Sequence, residues 1–96
     1  MGGEVIEVEV KVVGIVGAQF VTVAKKIKLK SGAGPKEAIA RLYEAGAIDA
    51  HVYKQLKSLK PPYLIVLNEQ ICETKPQAIK LQNGDSMSVI QLLTGG

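Results

Sequence analysis

Residues 81–93, LQNGDSMSVIQLL, join a turn to an alternating segment and largely decide the expected fold. The letters NGD are a strong turn signal, and the eight residues after them alternate between two faces. Met87 and Val89 mark the face that should be buried. Because the apolar pattern inverts further along, Ile90 and Leu92 should project from the opposite face, close to the end of the chain. The alternative is a strand twist that buries one of the two.

Two further alternating segments upstream predict a β-hairpin. Residues 4–13 alternate apolar and charged side chains, and residues 20–30 do the same with lysines on the polar face, although Lys25 breaks the alternation. Gly14 and Gly17 should bracket the turn between the strands. Antiparallel pairing would set the acidic positions of the first strand against lysines of the second. Such lysines are typical of a solvated edge strand, and a phosphate-binding strip is the alternative.

Between the hairpin and the last strand the apolar period changes to that of a helix. Pro35 at the first helical position predicts a helix over residues 36–45, and Asp49 is a candidate N-cap for a second helical segment. Residues 63–67 are almost wholly apolar, which predicts a short strand buried on both sides or nearly so. A helix packed across one face of a sheet defines an α+β roll of two layers.

Composition narrows the possible functions. The chain has 96 residues, 47% of them hydrophobic, which suffices for one domain with a core that needs no metal or disulfide. Its single cysteine suits a reducing cytoplasm, and we expect a cytoplasmic protein because no apolar run is long enough to span a membrane. The net charge of +3 comes with few aromatic residues, so we expect neither a membrane nor a nucleic acid as partner.

No side chains are arranged for catalysis. Cys72 lies in a short apolar segment and is expected to be a small buried residue, and His51 is expected on a helix surface. Carboxylates with the spacing of metal ligands are absent from the sequence. We therefore expect no catalytic residue, no metal and no permanently bound cofactor.

Four features together resemble the C-terminal half of the MoaD/ThiS-type sulfur-carrier proteins. They are a strand ending at Asn68, the leucine-x-x-Gly-Asp turn of residues 81–85, the apolar last strand, and a final Gly95-Gly96. The match covers about a third of the chain well, and the hairpin and helix agree in order only. The resemblance implies a ubiquitin-like β-grasp domain over residues 1–94. It would have a mixed sheet of four to five strands, with the first and last side by side and one main helix packed across it.

The same resemblance implies a chemistry for the flexible diglycine tail at residues 95–96. In that family an ATP-using enzyme of the ubiquitin-activating type adenylates the terminal carboxylate, here Gly96, and a sulfur donor converts it to a thiocarboxylate. An acceptor synthase then takes the sulfur in cofactor biosynthesis of the molybdopterin or thiamin type. Thr94 and Gly95 would complete the tail, since glycine has no Cβ and can enter a narrow channel. Ile90 and Leu92 would dock the partner enzyme.

Three alternatives remain open at this stage. Residues 91–94, QLLT, stand where molybdopterin-pathway members commonly have a Pro-Pro-Val-like segment, and residues 45–62 look like an insertion relative to thiamin-pathway members, so the pathway is undecided. A ubiquitin-like modifier joined to target lysines through Gly96 would have the same fold and tail. A non-reactive β-grasp binding module would depend on its lysines instead, and its diglycine would be incidental.

Overall fold

Five strands and two helices make up the structure, a computed structural model that describes residues 4–16, 19–57, 63–72 and 78–91. In chain order the elements are β1 (Val5–Val16), β2 (Gln19–Lys30), α1 (Pro35–Glu44), α2 (Ala50–Leu56), β3 (Tyr63–Leu67), β4 (Gln70–Ile71) and β5 (Ser86–Gln91). The strands form one sheet in the order β2-β1-β5-β3-β4. The first and last strands lie side by side and parallel, and the other neighbours are antiparallel. The fold is therefore an α+β, ubiquitin-like β-grasp, as the sequence predicts.

The hydrophobic core lies between one face of the sheet and the two helices. Side chains from β1, β5, α1 and α2 are almost completely removed from solvent: Val8, Val10, Val12, Met87, Val89, Ala38, Ile39, Leu42, Val52 and Leu56. Burying one such side chain of the size of Val, Leu or Met contributes roughly 1.5–3 kcal/mol, so this layer supplies most of the drive to fold. The alternation of β1 and β5 predicts the correct inward residues in both strands.

Each helix begins at the residue that its sequence signal indicates. At the start of α1 the Glu37 carboxylate accepts a hydrogen bond from the backbone N–H of Gly34 at 2.6 Å. At the start of α2 the Asp49 carboxylate accepts one from the N–H of Val52 at 2.8 Å, which satisfies a donor that the helix itself leaves free. Stacked rings of Tyr43 and Tyr53, with centroids 4.8 Å apart, hold the two helices against each other.

The prediction of a turn at Gly14 is wrong. β1 continues through Gly14, which pairs with Val21, and both strands of the hairpin are 12 residues long. Glycine keeps the backbone donor and acceptor that the ladder needs, and the apolar sequence resumes after it, so the strand has no reason to stop there. Gly17 lies outside the described residues.

The prediction that β3 is buried on both sides or nearly so is wrong for the face away from the helices. Ile65 is buried against the core, but its neighbours Leu64 and Val66 are only half-buried. Successive side chains of a strand point to opposite faces, and in the described part of the chain both helices pack on the same face of this sheet. The apolar side chains of β3 therefore contribute both to the core and to the opposite face of the sheet.

Candidate functional site

Ile90, predicted as a docking residue, lies near the end of β5 on the sheet face opposite the helices. It pairs with Val13 of β1 on one side and with Leu64 of β3 on the other. Met87 and Val89 of the same strand point into the core and are fully buried. The structure thus places Ile90 on the expected face, where it is half-buried by its cross-strand partners.

Apolar side chains from four strands gather around Ile90. We call this set the open-face patch; its members are Val13, Leu64, Val66, Ile71 and Ile90. Val13 is 42% exposed and Ile71 is 61% exposed, so solvent reaches both ends of the patch. An exposed apolar surface with a polar border is typical of a protein–protein contact.

Sequence reasoning identified Ile90 but missed the other four members of the open-face patch. The alternation of residues 4–13 places Val13 at the end of a strand, and the apolar run of residues 63–67 predicts that Leu64 and Val66 are buried on both sides or nearly so. The register would have revealed them: once Ile65 is set opposite buried Val89, its two neighbours must face the other way. The sequence pattern of β3 alone does not show which residues face the core. The register of β3 against β5 supplies this information.

The polar residues that carry the family resemblance lie together at the opposite end of β5. The Asn68 side chain accepts a hydrogen bond from the N–H of Ser86 and donates one to the Asp85 carboxylate, both at 2.9 Å. The other oxygen of Asp85 accepts from the N–H of Gln82 at 2.8 Å. We call Asn68, Gln82, Asp85 and Ser86 the turn latch.

The turn latch joins three strands rather than forming a reactive site. Asn68 has φ 49°, a left-handed conformation that asparagine tolerates better than most residues, and it links β3 to the start of β5. The backbone carbonyl of Asp85 accepts the N–H of Glu9 at 2.9 Å, which ties the same turn to β1. These bonds fix the register of β5, and the register decides that Ile90 faces the open side.

Charges border the open-face patch on the side of β2. Lys26 and Lys28 lie opposite Glu9 and Glu7, which confirms the predicted pairing of an acidic strand with a basic one. The closest ion pair of Glu9, however, is with Lys11 of its own strand, at 3.8 Å. Both groups are exposed, so this pair contributes little to stability.

Two reactive residue types take no part in this surface. Cys72 is half-buried, packs against the core, and donates its backbone N–H to the carbonyl of Ile65 at 2.9 Å. His51 lies on the exposed surface of α2. Within residues 4–16, 19–57, 63–72 and 78–91, the structure holds no cluster of side chains able to bind a metal ion.

Tyr63, the first residue of β3, lies opposite Gln91, where the described part of β5 ends. Partial burial raises the pKa of the Tyr63 phenol above its ordinary value of 10.0, because the surroundings disfavour the phenolate. The predicted docking residue Leu92 and the predicted tail residues Thr94, Gly95 and Gly96 come after this point and lie outside the described residues.

Comparison with known proteins supports the fold. No protein-family model matches the sequence. No curated protein matches it either. Among solved structures, the chain is similar to the solution structure of the Haloferax volcanii HVO 2177 protein, with 19% identity and a TM-score of 0.60. The alignment covers 96% of this chain and 88% of the other. In the part of the chain that the structure describes, neither helix has the length and apolar character needed to cross a membrane.

Proposed function

We propose that this protein is a sulfur carrier. Its Gly96 carboxylate is adenylated by a partner enzyme of the ubiquitin-activating type and then converted to a thiocarboxylate. The observation that carries the proposal is the open-face patch, an apolar surface that includes Ile90 close to the end of β5. A partner bound there lies beside the strand from which the diglycine sequence continues.

The distance from the patch to the reactive group is short along the chain. Five residues follow Gln91 in the sequence, and a fully extended segment of that length spans at most about 17 Å. An enzyme that holds the open-face patch therefore confines the Gly96 carboxylate to a small volume. The bound carboxylate then reacts with ATP on the enzyme without a separate diffusional encounter. Positioning of this kind is the main contribution that a carrier can make to the rate of adenylation.

The chemistry needs no catalytic side chain on the carrier. A carboxylate is a poor electrophile, so one of its oxygens first attacks the α-phosphorus of ATP and pyrophosphate leaves. A nucleophilic sulfur then attacks the acyl carbon, the new C–S bond forms, and AMP leaves. ATP belongs to the partner enzyme, and the thiocarboxylate passes to an acceptor synthase of molybdopterin or thiamin type. The half-buried Cys72 and the surface residue His51 have no required role in these steps.

The proposal is tested by loading the tail in vitro. The protein is incubated with the ubiquitin-activating-type enzyme of its own organism, ATP and hydrosulfide, and intact masses are compared before and after. We expect the exchange of one oxygen for sulfur in the native chain. Deleting Gly96, or adding one residue after it, should abolish loading and leave the melting temperature unchanged, since the change is made five positions after the end of β5 in the sequence.

The outcomes also separate the two rival functions. Adducts on lysines of other proteins, with no thiocarboxylate, would identify a ubiquitin-like modifier conjugated through Gly96. Equal behaviour of the native and truncated chains, with neither loaded, would leave a non-reactive binding module. A matched control uses Lys54→Glu on the exposed surface of α2, which should load normally because it lies on an element away from the open-face patch.

A further inference from the structure

The free edge of β2 turns backbone groups away from the rest of the sheet. β2 is the outermost strand on its side of the sheet, with β1 as its neighbour. Ser31 donates its N–H to the carbonyl of Glu4 at 2.7 Å, which extends the same register by one pair. In an antiparallel ladder such bonded pairs alternate with pairs whose groups point outward. The N–H and C=O of Lys26, Lys28 and Lys30 therefore point away from β1.

Two contacts support this direction independently. The Arg41 side chain of α1 donates its Nε–H to the carbonyl of Lys28 at 3.3 Å, which is possible only if that carbonyl points out of the sheet. On the other strand of the pair, Glu7 lies opposite Lys28 and uses its N–H and C=O for Asn83 and Gly84, on the side away from β2. The edge at Lys28 is thus available to hydrogen-bond with a further strand once Arg41 swings aside.

An apolar cleft runs beside this edge, between β2 and α1. We call it the β2 cleft, and it has a volume of about 560 Å³. Its lining includes Val5, Lys28, Leu29, Lys30, Ala33 and Ala40. Leu29 forms the floor and is buried. A cleft of this size holds one or two aliphatic side chains, and apolar linings of this kind are typical of ligand sites.

The charge around the β2 cleft is positive. Two carboxylates also line it, but Glu37 is bound to the N–H of Gly34 and Glu44 is paired with Arg41 at 2.7 Å. In the described ranges, the ion pairs of the chain are Lys11–Glu9 and Arg41–Glu44, so the lysines of β2 take part in none. An occupant of the cleft therefore meets a net positive charge, because three cationic residues line the cleft against two carboxylates.

We propose that the β2 cleft and the free edge of β2 bind an extended segment of a partner protein, in which aliphatic residues are followed by acidic ones. The segment adds as a sixth strand next to β2 and exchanges backbone hydrogen bonds with Lys26 and Lys28. Its aliphatic side chains fill the cleft over Leu29, and its carboxylates face the lysines. This mode of recognition takes affinity from the backbone and specificity from the pockets. It is independent of the proposed sulfur chemistry.

A peptide accounts for the features of this surface better than a nucleic acid does. A phosphate strand would use the lysines but would leave the apolar cleft unfilled and would not pair with the outward N–H groups of Lys26 and Lys28. The edge of β2 also carries one aromatic side chain, Phe20, whereas single-stranded nucleic acids are usually held by several stacked rings. The lysines of an edge that served only to prevent aggregation would need no cleft beside them.

The test is an NMR titration of the full ¹⁵N-labelled chain with a synthetic peptide of four alternating valines and leucines followed by four glutamates. We expect a dissociation constant on the order of 10–100 μM. The amides of Lys26 and Lys28 should shift strongly, and those of Ile27 and Leu29, which bond to β1, should shift less. A peptide of the same sequence with alternate amides N-methylated lacks the strand donors and should bind at least about tenfold more weakly.

Matched variants of the protein test the charge contribution. Lys28→Glu and Lys54→Glu change the net charge equally, but only the first lies at the cleft. We expect the first to weaken peptide binding by about tenfold and the second to leave it within about twofold. Equal effects, equal binding of the N-methylated peptide, or amide shifts centred on Val13 and Ile90 would each overturn the proposal. So would displacement of the peptide by oligouridylate, which would identify a phosphate-binding strip instead.

Discussion

The two faces of β5 differ both in polarity and in what covers them, since the open face carries Ser86 and Ser88 besides Ile90. Met87 and Val89 lie under the helices and have no exposed surface, whereas Ile90, next to Val89, faces the open side and stays half-exposed. The core is complete without the open face, because every strand that contributes to it turns alternate residues inward. The comparison shows that apolar character on the open side is not needed to close the core, and that it leaves a surface for a partner.

The largest expected difference between the two faces comes from placing a glutamate on each face of β5 in turn. Val89→Glu buries an unpaired carboxylate among core residues, and we expect it to unfold the domain, since such burial costs several kcal/mol. Ile90→Glu should keep the domain folded and lower the free energy of unfolding by no more than about 1.5 kcal/mol. Circular dichroism with urea titration measures both.

The second half of this test uses the adenylating enzyme. Ile90→Glu should weaken binding to it by at least about tenfold, because a charge enters the middle of the open-face patch. A melting temperature for Ile90→Glu as low as that of Val89→Glu would show that Ile90 belongs to the core and that the open face is not a separate surface.

Weakening the turn latch should destabilise β5 and its two faces by a smaller amount. Asn68→Ala removes two hydrogen bonds and leaves a residue with a Cβ at φ 49°, so we expect a loss of roughly 1–3 kcal/mol in unfolding free energy. Asn68→Gly loses the same bonds without the backbone strain and serves as the matched control. Hydrogen exchange should show faster opening of β5 in both variants, and unchanged protection of β5 would contradict the assigned role.

The smallest expected effect concerns pH at Tyr63, which packs against the core at the start of β3. The pKa of Tyr63 is raised in the folded state, so the folded chain holds this proton more firmly than the unfolded chain. Stability is therefore unaffected by Tyr63 below pH 10.0 and falls as pH rises through the folded pKa. Tyr63→Phe should remove part of the alkaline loss of stability, measured by urea unfolding above and below that pH. The absorbance difference between the two proteins should titrate with a midpoint above 10.0.

Sequence patterns predicted most of the scaffold because local rules govern it. The alternation of β1 and β5, Pro35 at the start of α1 and the Asp49 cap each act within a few residues. The two errors, at Gly14 and in β3, concern features that depend on neighbours distant in sequence. Whether a strand continues past a glycine depends on its partner, and whether an apolar run is covered twice depends on where the helices pack.

The candidate site was predicted less completely for the same reason. Ile90 was identified because its own strand inverts its pattern, but the open-face patch takes its other members from β1, β3 and β4. The tail is a different case: the reactivity proposed for Gly96 rests on a resemblance and on covalent chemistry. A diglycine has no side chain whose packing a fold could reveal.

The parallel pairing of β1 with β5 has a consequence for biosynthesis. Glu9 and Ser86 are neighbours in the sheet but 77 residues apart in the chain, so β1 is synthesised well before β5, the central strand with which it pairs. Folds dominated by such distant pairings form slowly, and the early hairpin must remain unassociated in the meantime. A nascent chain lacking β5 has β1 with one side unpaired and no finished sheet. During synthesis the sheet therefore cannot be completed until β5 has left the ribosome. Only chains that carry β5 can display the open face.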